Sequence, residues 1–525
     1  MKNTTKLLAL VLALLMVVTA FAGCGEKATE ESKVEETSKT EETTTEETTE
    51  EEGAPALDTS KEVEIVMYFI SDRPGGYDAI EENWNELFKE KLNCTLKTNW
   101  LAWSDYGNKY PLLFSSGEKF DLAYTATWLN FYSYAQKGAF MALDELWPAY
   151  APEIWARTSE AAKTQATVNG ELVCIPTLLA TYYGYGPYYR TDVLEGTDWD
   201  GKMENFEDYE VYLDYIKEEG SIPQPYSVGT SGSELDDVWL LNHGKYAIRG
   251  TSWLHVDLSE DKYTLRTWYQ ADDVNEFLTT MKRWFDKGFW SPSCLSDTEA
   301  DKPKNGVAAS CVHNIDSFTG LVINAQQTEN GQVWEYANFN VEAISNLPFT
   351  QDACVVPVTS ENPERALALY DYIMTDREAY DAFHYGILDE SYELVDEQVN
   401  MINTDKYSGT GMWAARNTEF NRDSVGYPQS AVDMKKEWDE MIAAKGNTGA
   451  QYLSGWTPDT SVVETEYAAC SNVIDQYWKP LELGLVDLES GLAEFQKQME
   501  AAGVDKVLEA FQSQLDAYCE QFPEG

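Results

Sequence analysis

Aromatic and charged side chains follow three of the strands predicted near the start of the folded part of this chain. An aromatic ring stacks on an apolar molecular face, whereas carboxylate and guanidinium groups form directional hydrogen bonds with polar edges. These residue types indicate non-covalent binding of a ligand that has both kinds of surface. The candidates are Asp72 and Arg73 after the first strand, Trp100 and Trp103 after the second, and Tyr124, Thr127 and Trp128 after the third.

An α/β sheet would position these side chains. Apolar patterning predicts buried strands at 64–70, 94–100 and 120–124, with amphipathic helices at 77–92 and 105–115 between them. Strands alternating with helices are typical of a doubly wound sheet, in which ligands bind at the carboxyl ends of the strands. The candidate residues are therefore expected to lie at one edge of the sheet.

The same patterning continues along the rest of the chain. It predicts a further strand at 352–357 and a helix from 366 to 374 that Pro363 helps to open. A second unit of sheet and helices is expected between these regions, and the C-terminal stretch from 462 to 521 is expected to be mainly helical. The elements predicted for the second unit are short strands at 226–228 and 306–309 and helices at 206–217 and 274–287.

Composition excludes several classes of protein. The chain has 525 residues, of which 43% are apolar, which is enough for two or three compact units. Asp and Glu number 90 against 38 Lys and Arg, and the net charge of -52 argues against nucleic-acid binding. With only 4 His, and with 8 Cys that form no CxxC pair, neither a metal site nor a cofactor is expected.

The N-terminus has the pattern of a bacterial secretion signal. Lys2 and Lys6 precede a short apolar run, and small residues lead to Cys24. This resembles a lipobox, which implies a signal peptide at 1–23 and a lipidated Cys24. Cleavage near Ala22 with release of the protein is the alternative. Residues 24–62, rich in Glu and Thr, are predicted to be a disordered tether.

Short motifs in a fixed order carry a family resemblance. They include the segments 140–144, 169–177, 188–194 and 360–366. Together with the lipobox they resemble the extracellular solute-binding proteins of carbohydrate ABC importers, the group that includes maltose-binding protein. The region from Tyr385 onward resembles a C-terminal extension of unknown function found in one lipoprotein branch of this group.

The resemblance implies two α/β lobes joined by hinge crossings, with the ligand cleft between them. The first lobe would comprise 63–184 and 352–397, and the second 185–346 and 398–525. The hinge would include Gly184 and Gly186, whose backbone freedom would absorb the dihedral changes of closure.

The resemblance also implies a carbohydrate ligand, expected to be an oligosaccharide and held in the cleft between the lobes. Aromatic rings would stack on the apolar face of a pyranose and polar groups would bond its hydroxyls, whereas an anionic uronate would need Arg or Lys in the cleft. The further candidates for sugar contact are Tyr182 and Tyr183 at the hinge, His313 and Asp316 after the strand predicted at 306–309, and Trp413 and Trp456 in the C-terminal region.

The expected partners follow from the same resemblance. No phosphate-binding GxxxxGK[ST] motif is present, so a membrane permease with a cytoplasmic ATPase would supply the energy for transport. We expect a monomer anchored by its lipid to the outer face of the cytoplasmic membrane, without enzymatic activity. Two alternatives are an extracellular glycoside hydrolase, which needs a pair of carboxylates, and a peptide-binding receptor.

Overall fold

A computed structural model describes residues 56–103, 106–229, 232–248, 251, 253–297, 302–328, 331–339, 343–407 and 415–524. They fall in one compact unit, 54–525. The predicted signal peptide, Cys24, the tether up to residue 55 and the candidate Trp413 lie outside the described residues. Within these ranges, none of the helices combines the length and apolarity needed to cross a membrane.

The described chain contains seventeen strands and eighteen α-helices, numbered here in chain order. The strands are β1 (Val63–Ile70), β2 (Cys94–Leu101), β3 (Leu122–Thr125), β4 (Thr167–Val168), β5 (Glu171–Leu172), β6 (Ile175–Pro176), β7 (Tyr182–Tyr183), β8 (Tyr185–Arg190), β9 (Lys245–Ala247), β10 (Leu254–Asp257), β11 (Arg266–Thr267), β12 (Ser310–Asn314), β13 (Trp334–Tyr336), β14 (Ser345–Asn346), β15 (Ala353–Val355), β16 (Tyr392–Val395) and β17 (Gln398–Met401). The helices are α1 (Tyr77–Leu92), α2 (Tyr106–Ser115), α3 (Phe131–Gln136), α4 (Leu146–Tyr150), α5 (Pro152–Arg157), α6 (Glu160–Gln165), α7 (Phe206–Glu219), α8 (Leu235–Asn242), α9 (Val274–Lys287), α10 (Ile315–Thr328), α11 (Pro363–Thr375), α12 (Arg377–Tyr385), α13 (Gln429–Lys445), α14 (Gly449–Leu453), α15 (Glu464–Val473), α16 (Lys479–Glu482), α17 (Leu488–Ala502) and α18 (Val504–Gln521).

The largest sheet has five strands in the order β2-β1-β3-β15-β6. β1 pairs in parallel with β2 and β3, whereas β15 runs antiparallel to β3 and β6. Helix α1 connects β1 to β2 and buries Tyr77, Ile80, Trp84 and Phe88, which recur at helical spacing on one face. The strands and helices predicted for this region are therefore present, and β15 enters the sheet from a distant part of the chain.

Further sheets are built from residues between β6 and β15. Three-stranded sheets have the orders β12-β8-β13 and β11-β10-β9. Short β7 pairs with β14, so the chain passes twice through the same place, once after β6 and once before β15. This pair lies where the two hinge crossings were predicted.

Buried side chains divide into two large clusters and two smaller ones. One large cluster surrounds the five-stranded sheet, and the other contains α7 to α9 together with the C-terminal helices. A third cluster packs α13 against β8 and β13. Tyr407 and Ala415 belong to the cluster of the five-stranded sheet, although residues 398–525 were predicted to belong to the second lobe. The lobe boundaries stay a prediction.

Two predicted strands of the second unit are wrong. Residues 226–228 form no strand, and the strand predicted at 306–309 is instead β12, Ser310–Asn314. The amide N–H groups of Val307 and Ala308 both donate to the carbonyl of Lys302, at 2.9 and 3.2 Å. These bonds form a turn at the apolar residues that were predicted to be a strand. The helices predicted at 206–217 and 274–287 are confirmed as α7 and α9.

Gly184 and Gly186 allow neighbouring chain segments to approach closely. A Cβ atom on Gly186 would lie 1.9 Å from the carbonyl oxygen of Ala337, and one on Gly184 would lie 2.6 Å from Cδ1 of Ile344. Neither glycine has a positive φ. Their lack of a side chain therefore serves packing in this structure, and the predicted hinge role stays a prediction.

Candidate ligand-binding cleft

A cavity of about 1130 Å³ is lined by loops that follow strands of the five-stranded sheet and by residues of the second large cluster and of the third. On one side lie the loop after β1, Trp103 after β2, and the C-terminal end of α12. On the other side lie β12, the face of α10 that follows it, and α13. The cavity thus lies at the carboxyl ends of β1 and β2, as expected for an open α/β sheet.

Six of the predicted site residues line this cavity. Among them Trp103 is 45% exposed, and its indole stacks on that of Trp128, with ring centres 6.1 Å apart and planes at 29°. Tyr106 packs edge-on against both rings, with centroids 5.7 Å away. An exposed indole held by other rings is a preorganised stacking platform. The six residues are Asp72, Arg73, Trp103, Tyr182, His313 and Asp316.

Six other predicted residues lie outside the lining. Trp100 is part of β2, stacks on Phe69 at 5.1 Å and donates its indole N–H to Thr98. The prediction that Trp100 follows the strand is wrong, because β2 continues to Leu101. Burial explains most of the other cases, since their rings and hydroxyls are used in packing and internal hydrogen bonds. The six are Trp100, Tyr124, Thr127, Trp128, Tyr183 and Trp456.

Tyr124 and Thr127 fix the chain segment that precedes β15. The hydroxyl of Tyr124 donates to Oδ1 of Asp352 at 2.7 Å, and the hydroxyl of Thr127 donates to Oε1 of Gln351 at 2.5 Å. The second carboxylate oxygen of Asp352 accepts from Arg416, which lines the cavity. These residues therefore position the guanidinium of Arg416.

Asp316 ties the hinge to the helices on one side of the cavity. Its Oδ2 accepts the backbone N–H of Tyr182 at 2.9 Å, and its Oδ1 lies 3.6 Å from Nζ of Lys435 on α13. The hydroxyl of Tyr182 donates to Asp439, one turn further along α13, at 2.7 Å. His313 lies within β12 with its ring 5.5 Å from that of Tyr185.

Lys435 and Tyr182 keep their protons near neutral pH. Burial lowers the pKa of Lys435, but the nearby Asp316 carboxylate and Tyr427 phenol outweigh it and leave the pKa above the ordinary lysine value. Burial, followed by the bond to Asp439, raises the pKa of Tyr182, so its phenol remains a hydrogen-bond donor. The cavity therefore offers fixed donors and acceptors rather than groups poised for proton transfer.

Several lining residues were not found from the sequence. Arg416 lies in a short segment that was predicted only to belong to the C-terminal extension. Lys435 and Asp439 share a face of α13 at i, i+4 spacing, which is a detectable signal. Tyr188, Tyr226 and Tyr385 gave no signal beyond being aromatic, because their position depends on how distant elements pack. The missed residues that matter most for the network are Arg416, Lys435 and Asp439.

Four cations that line the cavity have carboxylate partners: Arg73, Arg416, Arg422 and Lys435. Arg416 pairs with Asp352, and Nε of Arg416 is buried without a hydrogen bond. Arg422 lies 2.9 Å from Asp381. In the described ranges, no three His, Cys, Asp or Glu side chains are grouped so that they could hold a metal ion. The arrangement suits hydrogen bonding to a polar ligand together with ring stacking.

Comparison with known proteins identifies the family. The model of the bacterial extracellular solute-binding protein family matches residues 84–388, and a domain of unknown function matches residues 452–520. A carbohydrate ABC transporter substrate-binding protein of Streptococcus pneumoniae is 24% identical over 474 residues, which is 88% of this chain and 92% of that protein.

Solved structures share the fold. The N-glycan transport solute-binding protein NgtS of Streptococcus pneumoniae, in complex with Man1GlcNAc, matches with a TM-score of 0.72 at 19% identity, over 87% of this chain and 100% of that chain. An HMO-binding, ABC-transporter-associated solute-binding protein of Bifidobacterium longum infantis matches with a TM-score of 0.59 at 12% identity, over 87% of this chain and 99% of that chain. The predicted two-lobe α/β fold is confirmed, and the chain belongs to the bacterial extracellular solute-binding proteins.

Proposed function

We propose that this protein is the lipid-anchored extracellular receptor of a carbohydrate ABC importer, and that it captures a neutral oligosaccharide. The observation that carries the proposal is the cavity of about 1130 Å³ with Trp103 exposed at its edge and a network of paired charges in its wall. That volume is at the upper end of ligand pockets, which favours a ligand of several sugar units over a single one.

The pairing of charges supports a neutral ligand. Arg416, Lys435 and Arg422 each lie beside a carboxylate, so their charge is compensated before a ligand enters. Such pairs still offer hydrogen bonds to hydroxyl groups, and charged partners make these bonds stronger. Two proteins of similar fold, one for N-glycan transport and one that binds HMO, agree with a glycan ligand.

Delivery to a permease would follow from closure of the two lobes. A ligand that contacts both sides of the cavity favours the closed state by the difference between its affinities for the two states. The closed form would then dock on the permease, whose ATPase drives transport. The glycan would be released unchanged, because the receptor performs no chemistry on it.

Calorimetry of the chain lacking its first 24 residues tests the ligand class. Titration should give saturable binding to mannose- and GlcNAc-containing oligosaccharides and weak binding to uronate oligosaccharides of equal length. Mass spectrometry of the recovered glycan should show it intact. Shorter products would support a hydrolase, and binding confined to peptides would refute the carbohydrate assignment.

A further inference from the structure

The C-terminal stretch matched by the domain of unknown function reaches the wall of the cavity. Glu482, at the end of α16, contacts the turn formed by Gly232, Ser233 and Glu234, and this turn lines the cavity. The hydroxyl and the backbone N–H of Ser233 both donate to the Glu482 carboxylate. Ser233 and Glu482 are 4% and 3% exposed, so the contact is shielded from water.

The turn has an unusual backbone that needs support. Gly232 has a φ of 100° and Glu234 a φ of 60°, and left-handed geometry is costly for a residue with a side chain. The hydroxyl of Ser233 also accepts the amide N–H of Leu235 at 3.2 Å, where α8 begins. The hydroxyl of Tyr226, another lining residue, donates to the carbonyl of Ser233. Glu482 therefore holds a turn to which a cavity tyrosine is bonded.

The segment that carries Glu482 is itself fixed by packing. The indoles of Trp268 and Trp478 stack with centroids 4.8 Å apart and planes at 10°. The indole N–H of Trp290 donates to the carbonyl of Leu483 at 3.1 Å. A Cβ atom on Gly484 would lie 2.8 Å from Cα of Lys282, so the chain after Glu482 lies directly against α9. The carboxylate is thus presented from a rigid support.

We propose that Glu482 is a positioning residue for the ligand cavity: through Ser233 it holds the turn 232–234, with Tyr226, in the conformation that contacts ligand. This gives the C-terminal domain of unknown function a role in ligand binding that does not require it to touch the ligand. The part of the proposal that concerns ligand affinity rests on the proposed function, whereas the hold on the turn does not.

The charges around Glu482 make this hold dependent on pH. Asp236 and Asp237 face it from α8, and Lys479, which pairs with Asp475 at 2.8 Å, faces it from its own helix. Glu234 lies in the turn itself. Burial, above all, raises the pKa of Glu482 to about 7, and burial and the charge of Glu482 raise the pKa of Asp236. Ionisation of Glu482 is therefore disfavoured in the closed turn, so the closed turn loses stability relative to an opened, water-exposed one as pH rises from about 4.5 to about 7.

Three variants of the chain lacking its first 24 residues separate positioning from a general effect on stability. Glu482→Gln keeps a neutral, isosteric side chain, Glu482→Ala removes the hold, and Glu509→Gln changes an exposed acid of the same domain as a control. Amide hydrogen exchange reports on the turn and α8, with β1 as an internal reference, and calorimetry with Man1GlcNAc reports on binding.

In the wild type, we expect protection of residues 232–236 and affinity for the glycan to fall severalfold between about pH 5 and about pH 7, because fewer molecules hold the binding conformation. Glu482→Gln should make both nearly independent of pH, and Glu482→Ala should lower both about tenfold while β1 remains protected. Glu509→Gln should follow the wild type. If the wild type binds no glycan, the proposed function is refuted. Loss of turn protection in Glu482→Ala would still support the positioning role in that case.

Two results would overturn the proposal. One is wild-type protection of the turn in Glu482→Ala. The other is a Glu482→Gln variant whose turn protection and affinity vary with pH in parallel with those of the wild type.

Discussion

Replacement of Gly186 by alanine tests how strictly close packing fixes the strand next to the cavity. Gly186 lies in β8, the central strand of its sheet, and pairs with His313 of β12. An added Cβ would lie 1.9 Å from the carbonyl oxygen of Ala337. Contact distances between such atoms are about 3.5 Å, so the two backbones would have to separate by about 1.5 Å. The bond from the amide of Ala337 to the carbonyl of Pro187, 3.0 Å long, would then be lost.

The expected cost follows from these two effects. Overpacking costs about 1–3 kcal/mol and a lost backbone hydrogen bond about 1 kcal/mol, so Gly186→Ala should lower the free energy of unfolding by about 3 kcal/mol. Urea unfolding followed by circular dichroism measures this difference. Gly107→Ala is the matched control, because Gly107 is an exposed residue of α2 with no atom within 4 Å of an added Cβ. This control should be neutral or slightly stabilising. A Gly186→Ala variant within about 0.5 kcal/mol of the wild type would refute the packing argument.

Three further predictions concern the ligand, stability and anchoring. Trp103→Ala should weaken glycan binding about tenfold in calorimetry by removing a stacking surface, whereas Phe522→Ala, a change of a similarly exposed ring outside the cavity lining, should leave affinity unchanged. Burial raises the pKa of Asp371 to about 6, so the protein loses stability as pH rises from about 4 to about 6. Asp371→Asn should therefore add about 1–3 kcal/mol to the free energy of unfolding at pH 7, and much less at pH 4, as measured in urea titrations. Cys24→Ala should move the protein from the membrane fraction to the medium, and unchanged fractionation would contradict lipidation.

Local patterns were sufficient to predict most of the first sheet and its helices. Helix α1 occurs at the predicted residues because Ile80, Trp84 and Phe88 recur at helical spacing, and Asn93, with a φ of 49°, ends it. The strand predicted at 306–309 failed because an apolar run was interpreted without the turn that Lys302 closes. The strand that forms instead, Ser310–Asn314, is half polar and gave a weaker local signal.

The position of the loops correctly predicted which segments of the chain line the cavity. It was less successful in predicting which side chains of those segments do so. Trp103 and Trp128 were both predicted to follow strands, yet Trp103 lines the cavity whereas Trp128, in a short 3-10 helix, packs behind it. Arg416 and Lys435 line the cavity through elements that approach it from the far end of the chain. Which face a loop residue presents depends on these long-range contacts, and a single sequence does not encode them as a periodic pattern.

The bonds of the hinge segment indicate where the dihedral changes of closure would fall. Leu178 is held by two backbone hydrogen bonds to the segment that contains Arg416. Its amide N–H donates to the carbonyl of Arg416 at 2.8 Å, and its carbonyl accepts the amide N–H of Thr418 at 3.1 Å. Tyr182 is fixed to the other side by Asp316 and Asp439. Gly184 and Gly186 are packed too tightly to change conformation without displacing Ile344 or Ala337. The carbonyl of Thr181 accepts the amide N–H of Leu347 at 2.8 Å. Because both flanks are held, we expect the flexing residues of this crossing to be Leu179 and Ala180, which also line the cavity, so ligand contact and hinge motion would be coupled at the same residues.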